Sequence, residues 1–531
     1  MKTKKNFTEG PIFGPIFLFV LPMIASYLLQ MAYSIADSSA VGSLVGNDEL
    51  AAVSATASFS GLIVNMFSGI GVGAGVIVAR YFGAKDMRRV SRAVHTSMIM
   101  SLIVGAVFCA AAMLLHGPII ELYIKNPIYV PIAKRYMFIV CIGIPALSVY
   151  NFASAVLRSL GDTKVPLIIG AVTGLVNVAL NYTFILGVDG IGERGAAIAT
   201  VIAQYLSAIS VIVYMFLRKN KPYALRVKGF CFDVGVALNS LKLGIPAGIQ
   251  SSCLSLSNVI LNSSVTGLGE AANGQIAQYA NSIVHSVTGI SWSAVACYSQ
   301  AITAYMGQNW GAGKFDRIKR GFRLITLQGL IVLSSIVTLE LLSSPILCRL
   351  FLNKEAPVEE TIALAIPLLA FVMIPYVFAM VMDNMQGMLR GLGYSTVPMV
   401  ISLITVVGVR ILWSQLIFPF LPEDGYSIFK LYLCYIISYL ITIAALGVYM
   451  AVKWRGMRER VEAARIAAEA AEREAAGNAD EGDAALSDGA HDALCEGATP
   501  TLGAADEKKD MVEGEVIYVV SDIPEEENTR A

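Results

Sequence analysis

Five ionisable side chains stand inside long apolar stretches of this chain: Asp37, His285, Glu340, Asp383 and Arg410. An ionised group at membrane depth costs at least about 2.5–3.5 kcal/mol, so those that persist line a cavity or meet a partner. Asp37 is the strongest candidate for chemistry, because a carboxyl in a poorly hydrated cavity can take either a proton or a sodium ion as its neutralising partner. Asn177 and Asn181 are spaced i, i+4, which turns both amides to one side of a helix. Asp383 reads as a substrate-facing acid or a second proton carrier, with an ion pair to Arg390 or Arg410 as the plainer alternative. His285 is a candidate proton relay, set against the blander reading of a hydrogen-bonded histidine.

These groups need a membrane scaffold to hold them. With 56% hydrophobic and 15% charged residues and a mean hydropathy of +0.65, the chain is too apolar for a soluble multidomain protein. Twelve apolar runs recur between short polar breaks, each long enough to cross a hydrocarbon core of about 30 Å. The first runs from about Pro11 to Ala36, longer than a signal-peptide core, and is kept as a span. The N-terminus, the even-numbered loops and residues 453–460 hold 26 Lys and Arg against 7 in the odd-numbered loops, which predicts cytoplasmic termini. The basic stretches around Arg88 and Arg320 are topology anchors, with no nucleic-acid partner expected.

The zero net charge conceals two blocks, +14 over residues 1–460 and −14 over 461–531. The acidic block opens with a helical Ala/Glu segment and continues into a Gly/Asp/Glu stretch expected to be disordered. Eight scattered cysteines signal neither a disulfide framework nor a zinc site, and no phosphate loop or hydrolase triad is present. Gly69, Gly71, Gly73 and Gly75 form a ladder that predicts close helix packing.

The chain is internally duplicated. Leu157–Pro166 reads LRSLGDTKVP and Leu389–Pro398 reads LRGLGYSTVP, 232 positions later. Pro22 and Pro246, Asp37 and Asn262, and Gly83 and Gly311 match at offsets of 224, 225 and 228, a drift that small loop insertions would leave. Six spans per unit is even, so the two units are parallel repeats related by an axis along the membrane normal. The expected organisation is an all-α membrane protein with a first lobe at 10–220, a linking loop at 221–240, a second lobe at 241–452 and a tail at 453–531. Each lobe keeps one acid in a different place: Asp37 faces Asn262, and Asp383 faces Asn151.

Three motifs together resemble the multidrug and toxic compound extrusion (MATE) transporters over about residues 10–452: ADSSAVG ending at Gly42, the twin L-R-[SG]-L-G phrases, and NVALNYTFILG followed by RGAAIAT. The resemblance implies two six-helix lobes in a V-shaped arrangement, and export of drugs or other organic compounds in exchange for Na⁺ or H⁺. It also implies that Asp37 binds the coupling cation with polar groups of spans five and six, which here match Asn177, Asn181 and Thr200. Their oxygens suit a hard cation. Many family members carry aspartate where Asn181 stands, so this site has one negative charge fewer and the choice of ion stays open. The plainer reading is that Asn and Thr only bridge helices, at about 0.6 kcal/mol each. A second-lobe glutamate found in some relatives is Leu254 here, so an ion site of that type is not expected.

Three functions remain open: a cation-coupled antiporter, a flippase for lipid-linked saccharides on the same architecture, and a non-transporting membrane scaffold. The antiporter reading expects no enzyme activity and no cofactor beyond the coupling ion. It places a monomer in a bacterial inner membrane, taking a small organic substrate.

Overall fold

The computed structural model describes residues 6–124, 127–187, 192–226, 231–269, 273–352 and 357–480, and at several helical positions, 37–44 among them, the backbone alone. The first half comprises α1 (Phe13–Leu44), α2 (Asn47–Gly83), α3 (Met87–Tyr123), α4 (Tyr129–Ile142), α5 (Ile144–Ser159), α6 (Lys164–Gly187) and α7 (Glu193–Leu217). The second comprises α8 (Val234–Thr266), α9 (Gly274–Gly311), α10 (Phe315–Leu342), α11 (Ser344–Leu350), α12 (Val358–Met373) and α13 (Pro375–Gly391). It continues through α14 (Thr396–Ser402), a π-helical stretch (Leu403–Gly408), α15 (Val409–Leu412), a second π stretch (Trp413–Ile417) and α16 (Ser427–Asp480). Among the described residues there is no strand.

Read as crossings, these are the twelve expected, because α4 with α5 and α12 with α13 are single spans broken in the middle. Both breaks fall just before a proline, Pro145 and Pro375, where the missing N–H and the ring disfavour a continuous helix, and the α4–α5 bend is 49°. Among the described residues nine segments are long and apolar enough to cross a membrane, ten with the bent pair. The other two are α8 and α9, which have the length, 33 and 38 residues, but carry many Ser, Asn and Gln. Their polarity belongs to the molecule's centre. The periphery carries the reverse signal, with Leu114, Leu217 and Leu342 each more than 70% exposed, as a lipid-facing surface permits.

The repeated phrase folds the same way twice. Gly161 and Gly393 have φ of +83° and +94°, the left-handed region that glycine enters without a Cβ penalty. In each copy the following amide reaches back to the Leu that opens the phrase, Asp162 N to Leu157 O and Tyr394 N to Leu389 O, both at 2.8 Å. These are Schellman closures ending α5 and α13.

Two cores result. One joins α2, α3, α5 and α7 around Phe152, Val156 and Met215. The other joins α9, α10, α12, α13 and α16 around Tyr298, Leu369 and Met380, and includes Ile16, Phe19 and Met23 from the first half of α1. The second half of α1 lies instead on α6, where the Tyr33 hydroxyl donates to Ala171 O at 2.8 Å and its ring fills the space a Cβ would take at Gly174. Helix α1 thus spans both lobes.

The lobes meet along α2 and α8. A Cβ at Gly69 would overlap the backbone of Gly248 and one at Gly73 that of Gly244, whereas Gly71 and Gly75 face Asn151 and Ala155 of α5. The ladder therefore serves two neighbours at once. Asn65 Nδ2 donates to Ser255 Oγ at 2.7 Å across the same seam. At the ends of α2 and α9 the contact becomes reciprocal: a Cβ on Gly83 would overlap the Gln308 carbonyl, and one on Gly311 the Arg80 carbonyl. Arg80 Nη2 donates to Gly391 O at 3.4 Å, and Gln308 Nε2 donates to Ser159 O at 2.7 Å. Ser159 and Gly391 occupy the same place in the two copies of the phrase, and Arg80 and Gln308 are 228 apart. The seam is one latch built twice. Towards the other end the seam still holds at Leu62, whose carbonyl accepts from Ser252 Oγ at 3.2 Å, and beside it no heavy atom lies within 4 Å of a Cβ placed on Gly61.

Candidate functional site

The first-lobe candidates come together between α6 and α7. Asn177 Nδ2 donates to Thr200 Oγ1 at 3.4 Å, and Asn181 Nδ2 donates to Asn177 Oδ1 at 3.5 Å, both loose contacts. Thr200 Oγ1 itself donates to Ala196 O at 3.0 Å, so its lone pairs remain directed at the asparagines. Asn181 is fully buried. Asp37 lies one turn beyond Tyr33 on α1, and Asn177 three residues beyond Gly174 on α6, so the Tyr33 contact sets both at one level. The Asp37 side chain lies outside the described residues.

The second-lobe candidates are distributed differently. Asp383 is half-buried on α13, and among the described residues its carboxylate has no ion pair within 4 Å. Neither arginine named in the plainer reading pairs with it directly. Arg390 Nη2 instead donates to Ser299 Oγ at 2.8 Å, and that hydroxyl donates to Asp383 O at 2.9 Å. Arg390 Nη1 reaches Gln250 Oε1 at 3.4 Å, within a buried set where Gln250 Nε2 donates to Gln386 Oε1 at 2.7 Å and to Ser402 Oγ at 2.9 Å. His285 is exposed on the α9 face that also carries Asn281 and Thr288. Glu340, buried near the end of α10, accepts from the Ser291 hydroxyl and backbone amide. The methionines 380, 382, 385 and 388 are core residues of this lobe, each under 10% exposed.

Arg410 is 3% exposed and, among the described residues, has no carboxylate within 4 Å. Its Nη1 donates to Asn258 Oδ1 at 2.7 Å and to Ser257 Oγ at 3.3 Å, and its guanidinium lies over the Tyr435 ring at 4.2 Å from the centroid. Beside it, Asn281 Nδ2 donates to Asn262 Oδ1 at 3.2 Å while Tyr432 donates to Asn281 Oδ1. Sequence reasoning missed Gln250, Gln300 and Tyr27. Gln300 Nε2 donates to Tyr27 Oη at 3.1 Å, joining α9 to α1 beside a seam cavity of about 30 Å³ lined by Arg158, Ser159 and Thr303. The usable signal was periodicity, since Gln300 follows Ser293 and Cys297 along a polar face of an otherwise apolar helix.

A family model, MatE, matches residues 22–183 and again residues 246–415. The chain belongs to the MATE family. A double match, once per lobe, also reports the duplication independently of the paired phrases. Among curated relatives, the chain is 27% identical over 399 residues to the probable multidrug resistance protein YoeA of Bacillus subtilis, covering 74% of this chain and 84% of that protein. It is 24% identical over 348 residues to a FAD transporter of Shewanella oneidensis, covering 64% of this chain and 74% of that one. Its fold matches a solved outward-facing multidrug resistance MATE family transporter with a TM-score of 0.75 at 18% identity, over 86% of this chain and all of the other. As a MATE protein the chain is a multi-pass membrane efflux transporter of two six-helix lobes.

Proposed function

We propose that this MATE protein is a secondary active antiporter that exports drugs or other organic compounds in exchange for Na⁺ or H⁺, by alternating access between its lobes. The observation that carries the reading is the seam: two repeated lobes that meet along α2 and α8 and are closed at one end by reciprocal glycine contacts form a scaffold whose halves can rock against each other. With the basic loops cytoplasmic, as their charge favours, the closed end is the cytoplasmic one. Drug-resistance names among the relatives support this cargo over lipid-linked saccharides. Coupling falls to Asp37 with Asn177, Asn181 and Thr200, a set of three neutral side-chain oxygens and one carboxylate whose chemistry suits a hard cation. Asp383 and His285 are candidate substrate sites on this reading, and a proton carried by either would be a second coupling ion.

The test is efflux of a fluorescent organic cation from proteoliposomes, first under an imposed Na⁺ gradient and then under an imposed pH gradient. One of the two drives export; response to neither rejects the antiporter. Thr200→Val keeps the side-chain shape and removes one oxygen, and weakens the apparent affinity for the driving cation by roughly 3- to 16-fold, read from the cation dependence of efflux. Deleting residues 461–531 leaves efflux intact, because the lobes and both polar sites lie before them. Loss of efflux in that deletion would favour a scaffold whose tail recruits partners.

A further inference from the structure

The first-lobe cluster has a counterpart in the second lobe, already filled by a side chain. Carried along the chain, the offset of 232 sets Asn177 against Val409. Between Pro398 and that position lies the π-helical stretch Leu403–Gly408, and a π turn holds one residue more than an α turn, which brings Arg410 to the place of Asn177. On the facing helix, the offset of 225 sets Tyr33 against Asn258 and Asp37 against Asn262. The same pair of helices meets in both lobes. In the first lobe Tyr33 of α1 reaches α6; in the second, Asn258 of α8 takes a hydrogen bond from Arg410 of α15 at 2.7 Å.

We infer that Arg410 is a tethered counterpart of the coupling cation: its guanidinium occupies in the second lobe the position that mobile Na⁺ or H⁺ takes in the first, so one cation moves per cycle, through the first lobe alone. The inference rests on the coupling role proposed for the Asp37 cluster. Its chemistry is self-consistent. A mobile cation needs a carboxylate to bind and an empty place to enter; here the carboxylate is replaced by Asn262, and one turn along the same helix a permanent charge is held by Asn258, Ser257 and the faces of Tyr435 and Tyr439. A guanidinium cannot be deprotonated in a protein, so this position stays charged through the cycle. The remaining acid on α13, Asp383, has the charge of Arg390 beside it.

The test uses the full chain in proteoliposomes. Cation dependence of efflux gives a Hill coefficient of about 1, since that coefficient cannot exceed the number of coupled sites, and flux reversal against opposing gradients gives one cation per substrate. Two cations per substrate, or a Hill coefficient approaching two, overturns the tethered cation while leaving the antiporter standing. Absence of any cation dependence overturns both. In a second arm, Arg410→Ala lowers efflux by ~10-fold, and added guanidinium ion restores it whereas urea, of the same shape but uncharged, does not. A folded Arg410→Ala protein that guanidinium fails to rescue counts against the proposal. If that variant does not fold, the wild-type stoichiometry alone decides.

Discussion

In Asp37→Asn, efflux driven by an imposed cation gradient falls by ~100-fold, near the upper end of the coupling energies by which one site sets the affinity of another. The substitution keeps size and hydrogen-bonding capacity and deletes only the charge. Thermal stability in detergent is unchanged or higher, because an ionised group at membrane depth costs at least about 2.5–3.5 kcal/mol that the amide does not. Loss of transport together with retained stability separates coupling from packing. The placement of Asp37 supports this outcome: the Tyr33 ring seated at Gly174 holds α1 against α6, and Asn177 lies at the level of Asp37 one turn further on. Full gradient-driven efflux in Asp37→Asn would remove the coupling role.

Gly311→Val disables the transporter from the opposite direction, by preventing the closed seam. Even the first carbon of a valine side chain would overlap the Arg80 carbonyl, backbone that cannot swing aside. Overpacking of this kind costs about 1–3 kcal/mol, which shifts the balance between closed and open seams by roughly 5- to 150-fold. The readout is the distance between spin labels on Met87 and Lys319, two exposed positions just past α2 and α9, which lengthens in the variant. Gly83→Val has the same effect, since its Cβ meets the Gln308 carbonyl. Unchanged distances with unchanged efflux would mean that the seam is not the gate.

Much of this architecture was legible in the amino-acid order, and the reasons for the remainder are physical. Hydropathy and the paired phrases located twelve crossings and two lobes, because lipid-facing surfaces demand apolar residues and helix ends demand glycine at fixed places such as Gly161 and Gly393. The i, i+4 spacing of Asn177 and Asn181 put both amides on one side of their helix, where Asn181 Nδ2 lies 3.5 Å from Asn177 Oδ1. The reciprocal latch was hidden because its donors differ in type: Arg80 and Gln308 share a position and a function, but comparison by identity passes over them. The correspondence of Arg410 with Asn177 was hidden for another reason. The π-helical stretch Leu403–Gly408 shifts the register of its span, so a constant offset lands on Val409. The arginines that the plainer alternative paired with Asp383 donate instead to Ser299, Gln250 and Asn258, neutral groups that carry no charge signal in a sequence.

The latch has one more consequence. Surfaces that contact each other through equivalent residues in both directions are what a symmetric homodimer uses, where residue i of one subunit meets residue j of the other and j meets i. Here Gly83 meets the Gln308 carbonyl and Gly311 meets that of Arg80, and each arm of the contact ends on the partner's copy of the same phrase. Each half of this chain therefore bears both faces of the contact, donor and acceptor. In geometric terms a single six-helix unit is self-complementary, and the full protein is an isologous dimer whose two subunits have been joined end to end.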